Sequence, residues 1–216
     1  MIERVYKKIV YSGDVVEVYE YDKGYLKGYE NKNDNTGRKI DYKSENYEEH
    51  RKQVLQRAKK NLRRLINANV GQYGKEFTAK FLTLTFKENI KDLDKANYEF
   101  KKFIQRLNYK LYGTKKANLR YTTVIEFQKR GAIHYHVILY NIPYIKAYEI
   151  SQIWGNGFIK INKIDSISNV GAYLAEYLGG DEDENRLEGR RSYFSSRGLF
   201  KPVEITDKKI VEQVAA

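Results

Sequence analysis

The chain has 216 residues, with 40 Lys and Arg against 28 Asp and Glu and a formal net charge of +12, a length that suits one principal core. It has no cysteine, which excludes disulfides and thiolate metal sites and leaves His, carboxylate and water to hold any metal. The charge calls for a polyanion, and 20 Tyr and 9 Phe favour nucleic acid, whose unpaired bases stack on aromatic rings, over an acidic membrane.

In chain order, Arg4–Tyr11 and Val15–Tyr21 are two short β-type runs broken by Ser12-Gly13-Asp14, which predict a hairpin-rich leader over 1–43. It contains no long apolar run, and nothing approaches the ~18 apolar residues of a membrane span. The expectation is a soluble protein without a membrane partner. The polar stretch Asn31–Gly37 marks a loop, and a helix is expected from a cap at Ser44 or Asn46 to about Asn69. Between Arg51 and Arg64 this helix carries seven cations and no acid, the composition of either a solvated face or a DNA-backbone contact. His50, at its start, reads as solvent-facing.

Phe81–Phe86 alternates strictly, with Leu82, Leu84 and Phe86 on one side and Thr83 and Thr85 on the other. Asp92 opens a helix whose apolar residues step by three and four to Gly113. Leu119–Gln128 is the next strand, and Lys129-Arg130-Gly131-Ala132 turns it into Ile133–Leu139, which holds two of the three histidines, His134 and His136. Strand side chains alternate, so both imidazoles share one face and Ile133, Tyr135, Val137 and Leu139 the other. If the apolar sets of the two strands lie on one face, Glu126 falls beside the histidines. A short helix over Pro143 to Ile153, a turn at Trp154, a strand at Phe158–Ile161 and a helix from about Ser168, stopped by Gly179-Gly180, follow. Beyond lie the acidic Asp181–Glu184 and a basic stretch from Arg190 to Pro202. The order βαββαβα predicts an α+β fold, a ferredoxin- or RRM-like antiparallel sheet with helices on one face. The chain divides into the leader over 1–43, a main domain over 44–202 and a tail over 203–216.

The strand Phe81–Phe86, the pair His134-Tyr135-His136 behind Glu126, and a helix bearing Tyr173 and Tyr177 follow one another in an order that resembles the HUH endonucleases, specifically the replication initiator (Rep) proteins of rolling-circle plasmids and phages. The likeness covers roughly residues 75–202 and includes the turn at Trp154 and Ser196-Arg197-Gly198-Leu199. It implies that His134, His136 and Glu126 hold Mg²⁺ or Mn²⁺ and that Tyr173 or Tyr177 attacks DNA, with Tyr173 in the Tyr-x-x-Lys-like position. Glu176 stands where the family has Lys, so a base or water-positioning group replaces a cationic helper. Lys129 and Arg130 at the hairpin tip, with Arg191 and Arg197 further on, are the candidate DNA contacts.

The implied activity is nicking and rejoining of single-stranded or hairpin origin DNA, leaving a 5′-phosphotyrosine and a free 3′-OH, in the cytoplasm of a bacterial host. No Gly-x-x-x-x-Gly-Lys-Ser/Thr loop occurs, so unwinding and extension fall to a host helicase and polymerase. Two rivals are a non-catalytic RRM-like nucleic-acid binder, which has no use for paired histidines facing a carboxylate, and a transposase or relaxase of the same superfamily.

Overall fold

The structure, a computed structural model, describes residues 2–28, 47–128, 130–164, 170–178, 191–206 and 211. Its elements are β1 (Glu3–Ser12), β2 (Val15–Lys27), α1 (Tyr47–Asn67), β3 (Lys80–Thr85), α2 (Leu93–Tyr112), β4 (Tyr121–Phe127), β5 (Ile133–Leu139), α3 (Ala147–Trp154), β6 (Ile159–Lys163), α4 (Val170–Ala175), β7 (Tyr193–Ser195) and β8 (Val203–Ile205). The expected α+β fold is present, built on two antiparallel sheets with strand orders β6-β3-β5-β4-β7 and β2-β1-β8.

One face of the larger sheet carries the alternating apolar set. Leu82, Leu84, Tyr135 and Val137 are fully buried there against Phe103 and Leu107 of α2 and Trp154 of α3. α2 starts where the Asp92 carboxylate accepts the backbone N–H groups of Asp94 and Lys95 at 2.8 and 3.1 Å, and ends where Gly113 turns left-handed with φ 63°.

The opposite face differs from the one-sided arrangement expected. Phe81, Val124 and Ile138 lie on it and need cover, which Leu62 and Ile66 of α1 and Val170 and Leu174 of α4 supply. The face is therefore split: apolar and covered at one end, and at the other occupied by Thr83, Thr85, His134, His136 and Glu126.

Other boundaries move for local reasons. α3 begins at Ala147 and not at Pro143, because Ile142 and Ile145 first pack into the core in a non-helical approach. α4 ends at Ala175, and Tyr177 and Leu178 follow in a tighter turn whose N–H groups donate to Leu174 and Ala175 carbonyls three residues back. β7 and β8, three residues each, lie within and just after the basic stretch. The loop Asn31–Gly37, the caps Ser44 and Asn46, the His50 side chain, Ser168, the Gly179-Gly180 stop and the acidic Asp181–Glu184 lie outside the described residues. Among the described residues no helix is long and apolar enough to cross a membrane.

β8 pairs with β1, so the leader hairpin and the later chain share one sheet. α1 is tied to β2 through Glu17, whose carboxylate accepts from Arg63, Arg64 and Tyr19. Burial pushes the Glu17 carboxyl up, but the bonds from Arg64 and Tyr19 and the charges of Arg64 and Arg63 outweigh it and hold it below the ordinary carboxylate value. The stabilisation is therefore complete above the unfolded value of about 4.3 and is lost as pH falls through the lowered folded value. Glu17→Gln is expected to cost about 1–3 kcal/mol at pH 7, because it leaves two guanidinium groups short of a partner. In urea denaturation the gap between the variant and the parent should shrink as the pH drops below the carboxylate range.

Candidate metal centre and tyrosine pair

Register builds the site. Across the sheet Thr85 pairs with His134 and His134 with Glu126, while Thr83 pairs with His136 and His136 with Val124. Since paired residues on neighbouring strands present their side chains to the same face, Glu126, His134 and His136 converge, as the apolar pattern predicts. One ligand atom from each lies within 4.8 Å of the others. The His136 Nε2 is 2.6 Å from Glu126 Oε2, and its Nδ1 is 3.3 Å from the Thr83 hydroxyl.

The electrostatics suit a cation. Burial, followed by the neighbouring His136, pushes His134 down to about 4, so it stands neutral with a free lone pair at pH 7. The hydrogen bond with His136 holds Glu126 below the ordinary carboxylate value against the opposing effect of its burial, so it is an anion. His134 Nε2 is buried without a hydrogen-bond partner among the described residues, an arrangement that costs about 1–3 kcal/mol unless something else occupies the lone pair. Two imidazoles and a carboxylate, one nitrogen of them unsatisfied, fit a divalent metal ion.

The tyrosines come from the far side. α4 is docked on α1 by the Gly171 N–H donating to Asn67 Oδ1 at 3.0 Å. A Cβ at Gly171 would collide with the Arg63 carbonyl oxygen, so glycine permits the close approach. Tyr173 and Tyr177 then lie over Phe81, with ring centroids 5.4 and 6.1 Å away. Tyr177 stacks on His136 at 3.9 Å, and the two tyrosine hydroxyls are 3.0 Å apart. Burial first, then the bond to Tyr173 and the charges of Tyr173, Glu126 and Glu176, push the Tyr177 phenol well up, so it remains protonated at neutral pH. Tyr173 is the more open of the two, at 41% exposure.

The remaining candidates scatter. Glu176 is exposed in the turn beside Tyr177. Arg130 is exposed at the hairpin end, where its guanidinium donates to Gln128 Oε1 and the Phe86 carbonyl. Arg191 is exposed just before β7. Arg197 lines a groove with Lys115, Lys116 and Arg120 on the α2 side of the sheet, apart from the histidine face. Lys129 lies outside the described residues. Reading the sequence did not single out Thr83, Asn67 or Gly171. For Thr83 the signal was present, since strict alternation already set it opposite the apolar residues.

The fold and site together define an α+β protein whose sheet carries a His/Glu group of the kind that can hold a metal ion. Residues 79–182, just under half of the chain, match the family model of the replication-associated protein ORF2, a match consistent with a rolling-circle replication initiator. No curated protein and no solved structure matches the chain.

If Glu126, His134 and His136 hold the metal, Mn²⁺ titrated into the protein should bind in calorimetry and raise the melting temperature. His136→Ala should remove both effects. Thr83→Val, which deletes only the hydroxyl beside His136, should weaken Mn²⁺ binding about 10–100-fold while leaving the fold intact.

Proposed function

We propose that the protein nicks and rejoins single-stranded origin DNA by tyrosine transesterification, starting rolling-circle replication. The observation that carries this reading is the tyrosine pair held over the three-ligand cluster, with hydroxyls 3.0 Å apart and Tyr177 stacked on His136. The family match over 79–182 supports a DNA-replication role.

Each residue has a task in this reading. Glu126, His134 and His136 hold Mg²⁺ or Mn²⁺, which polarises a non-bridging oxygen of the scissile phosphate. Thr83 orients His136, as ligand histidines require. Tyr173 attacks: a bond forms between its phenolic oxygen and phosphorus, and the bond from phosphorus to the 3′ oxygen breaks. The phenolic proton leaves to solvent, to which Tyr173 is open, and the departing 3′ oxygen takes up a proton. Tyr177, kept protonated, donates to the Tyr173 oxygen and stabilises the charge that develops there. Glu176, exposed beside the pair, orders water or takes up the proton. One phosphodiester is exchanged for another, so the step is reversible, and the 5′-phosphotyrosine leaves a free 3′-OH for a host polymerase. Tyr177 stands ready as a second acceptor for a later strand transfer, and unwinding falls to a host helicase.

Incubation with single-stranded DNA carrying the replicon's origin and Mn²⁺ should give a nicked strand joined to protein on a denaturing gel. Peptide mapping should find the adduct on Tyr173. Tyr173→Phe with Tyr177→Phe should drop it below detection, and normal nicking by that double variant would sink the mechanism.

A further inference from the structure

On the rim of the histidine face stands an aromatic side chain that no core claims. In β6 and the residue before it, Ile159 and Ile161 pack into the core under the sheet. Alternation therefore directs Phe158, Lys160 and Asn162 to the other face. Lys160 pairs with Thr83 in register, and the Phe158 carbonyl accepts the Thr85 N–H at 2.9 Å. Two rows cross the sheet: Phe158, Thr85, His134, Glu126 and, beside it, Lys160, Thr83, His136, Val124. Phe158 thus stands two strands, roughly 10 Å, from His134.

Phe158 is 68% exposed and packs into neither core cluster. Lys160 is exposed and makes no hydrogen bond or ion pair among the described residues. The backbone beneath them is fixed. The Trp154 indole N–H donates to the Thr85 carbonyl at 3.1 Å and the Lys87 N–H to the Asn156 carbonyl at 2.8 Å. Gly157 lies so close to the end of β3 that a Cβ would strike the Thr85 carbonyl and the Lys87 nitrogen. Arg130, bonded to the Phe86 carbonyl, adds a second exposed cation at this end. A rigidly mounted ring beside unpaired positive charge, in line with the metal cluster, has the composition of a single-strand binding surface: bases stack on the ring and phosphates meet the cations.

We propose that Phe158 and Lys160 form a subsite for single-stranded DNA flanking the scissile phosphate, Phe158 stacking on an unpaired base and Lys160 pairing with an adjacent phosphate. The subsite rests on the nicking reading for its place along the substrate, but its test does not need cleavage. Anisotropy with a labelled oligothymidine and the full chain, without metal, should show about tenfold weaker binding for Phe158→Ala and near-parent binding for Phe158→Trp. Lys160→Ala should reduce the salt dependence of binding by about one phosphate contact, and Lys160→Arg should restore it. An oligothymidine substituted with 5-iodouracil should photo-cross-link to the peptide that contains Phe158. Binding of Phe158→Ala within twofold of the parent, or a cross-link elsewhere, would overturn the subsite, as would tighter binding to oligouridine, which would make the partner RNA. If the parent binds and cross-links as expected yet never nicks origin DNA, the subsite stands and the nicking reading fails. If it nicks normally while Phe158→Ala binds like the parent, the subsite alone falls.

Discussion

The antiparallel register between β4 and β5 is the constraint on which the rest of the molecule depends. Side chains on a strand alternate, so a slip of one residue would send Glu126 into the core and leave the histidines facing a hydrophobic neighbour. What prevents the slip is the other side of the same strands: Ile125, Ile133, Tyr135 and Val137 bury against α2 and α3, and a one-residue shift would expose that set. The polar cluster is aligned by hydrophobic packing it does not touch. The unfavourable convergence of two imidazoles and a carboxylate is offset by the core beneath them.

A second consequence of the split face is that it brings the tyrosines to the cluster. Phe81, Val124 and Ile138 leave an apolar half that only helices can cover, and α1 and α4 do so. The cover places Tyr173 and Tyr177 at the border between the apolar and polar halves, above His136. The same rings finish the hydrophobic packing over Phe81 and present hydroxyls toward the polar half, which is what an amphipathic ring does at such a border. Asn67 and Gly171 set how close that approach is, and neither contacts the cluster itself.

The charge of the chain is distributed unevenly in function. Some cations are structural: Arg63 and Arg64, which the sequence presented as part of a basic helical face, are engaged by Glu17 and join α1 to the small sheet. Others stand without acids around them, at the rim of the histidine face and in the groove that includes Arg197. A net charge of +12 thus overstates what is free for a polyanion, and only position separates the two uses.

Much was legible in the sequence because period-two and three-to-four alternation report directly which side chains share a face. β3, α2, β5, the Asp92 and Gly113 caps and the company of Glu126, His134 and His136 all follow from that local rule. What it does not carry is which far segments meet. The cover of the histidine face by α1 and α4, the union of β8 with β1, and the stacking of Tyr177 on His136 join residues tens to hundreds of positions apart. Strands of three residues such as β7 are too short to show a period at all. Sequence by itself determined the chemistry of the face, since side-chain direction along a strand is a local property. Only tertiary structure decided what stands over that face, because the apolar half is covered by whichever distant helices bury most surface there.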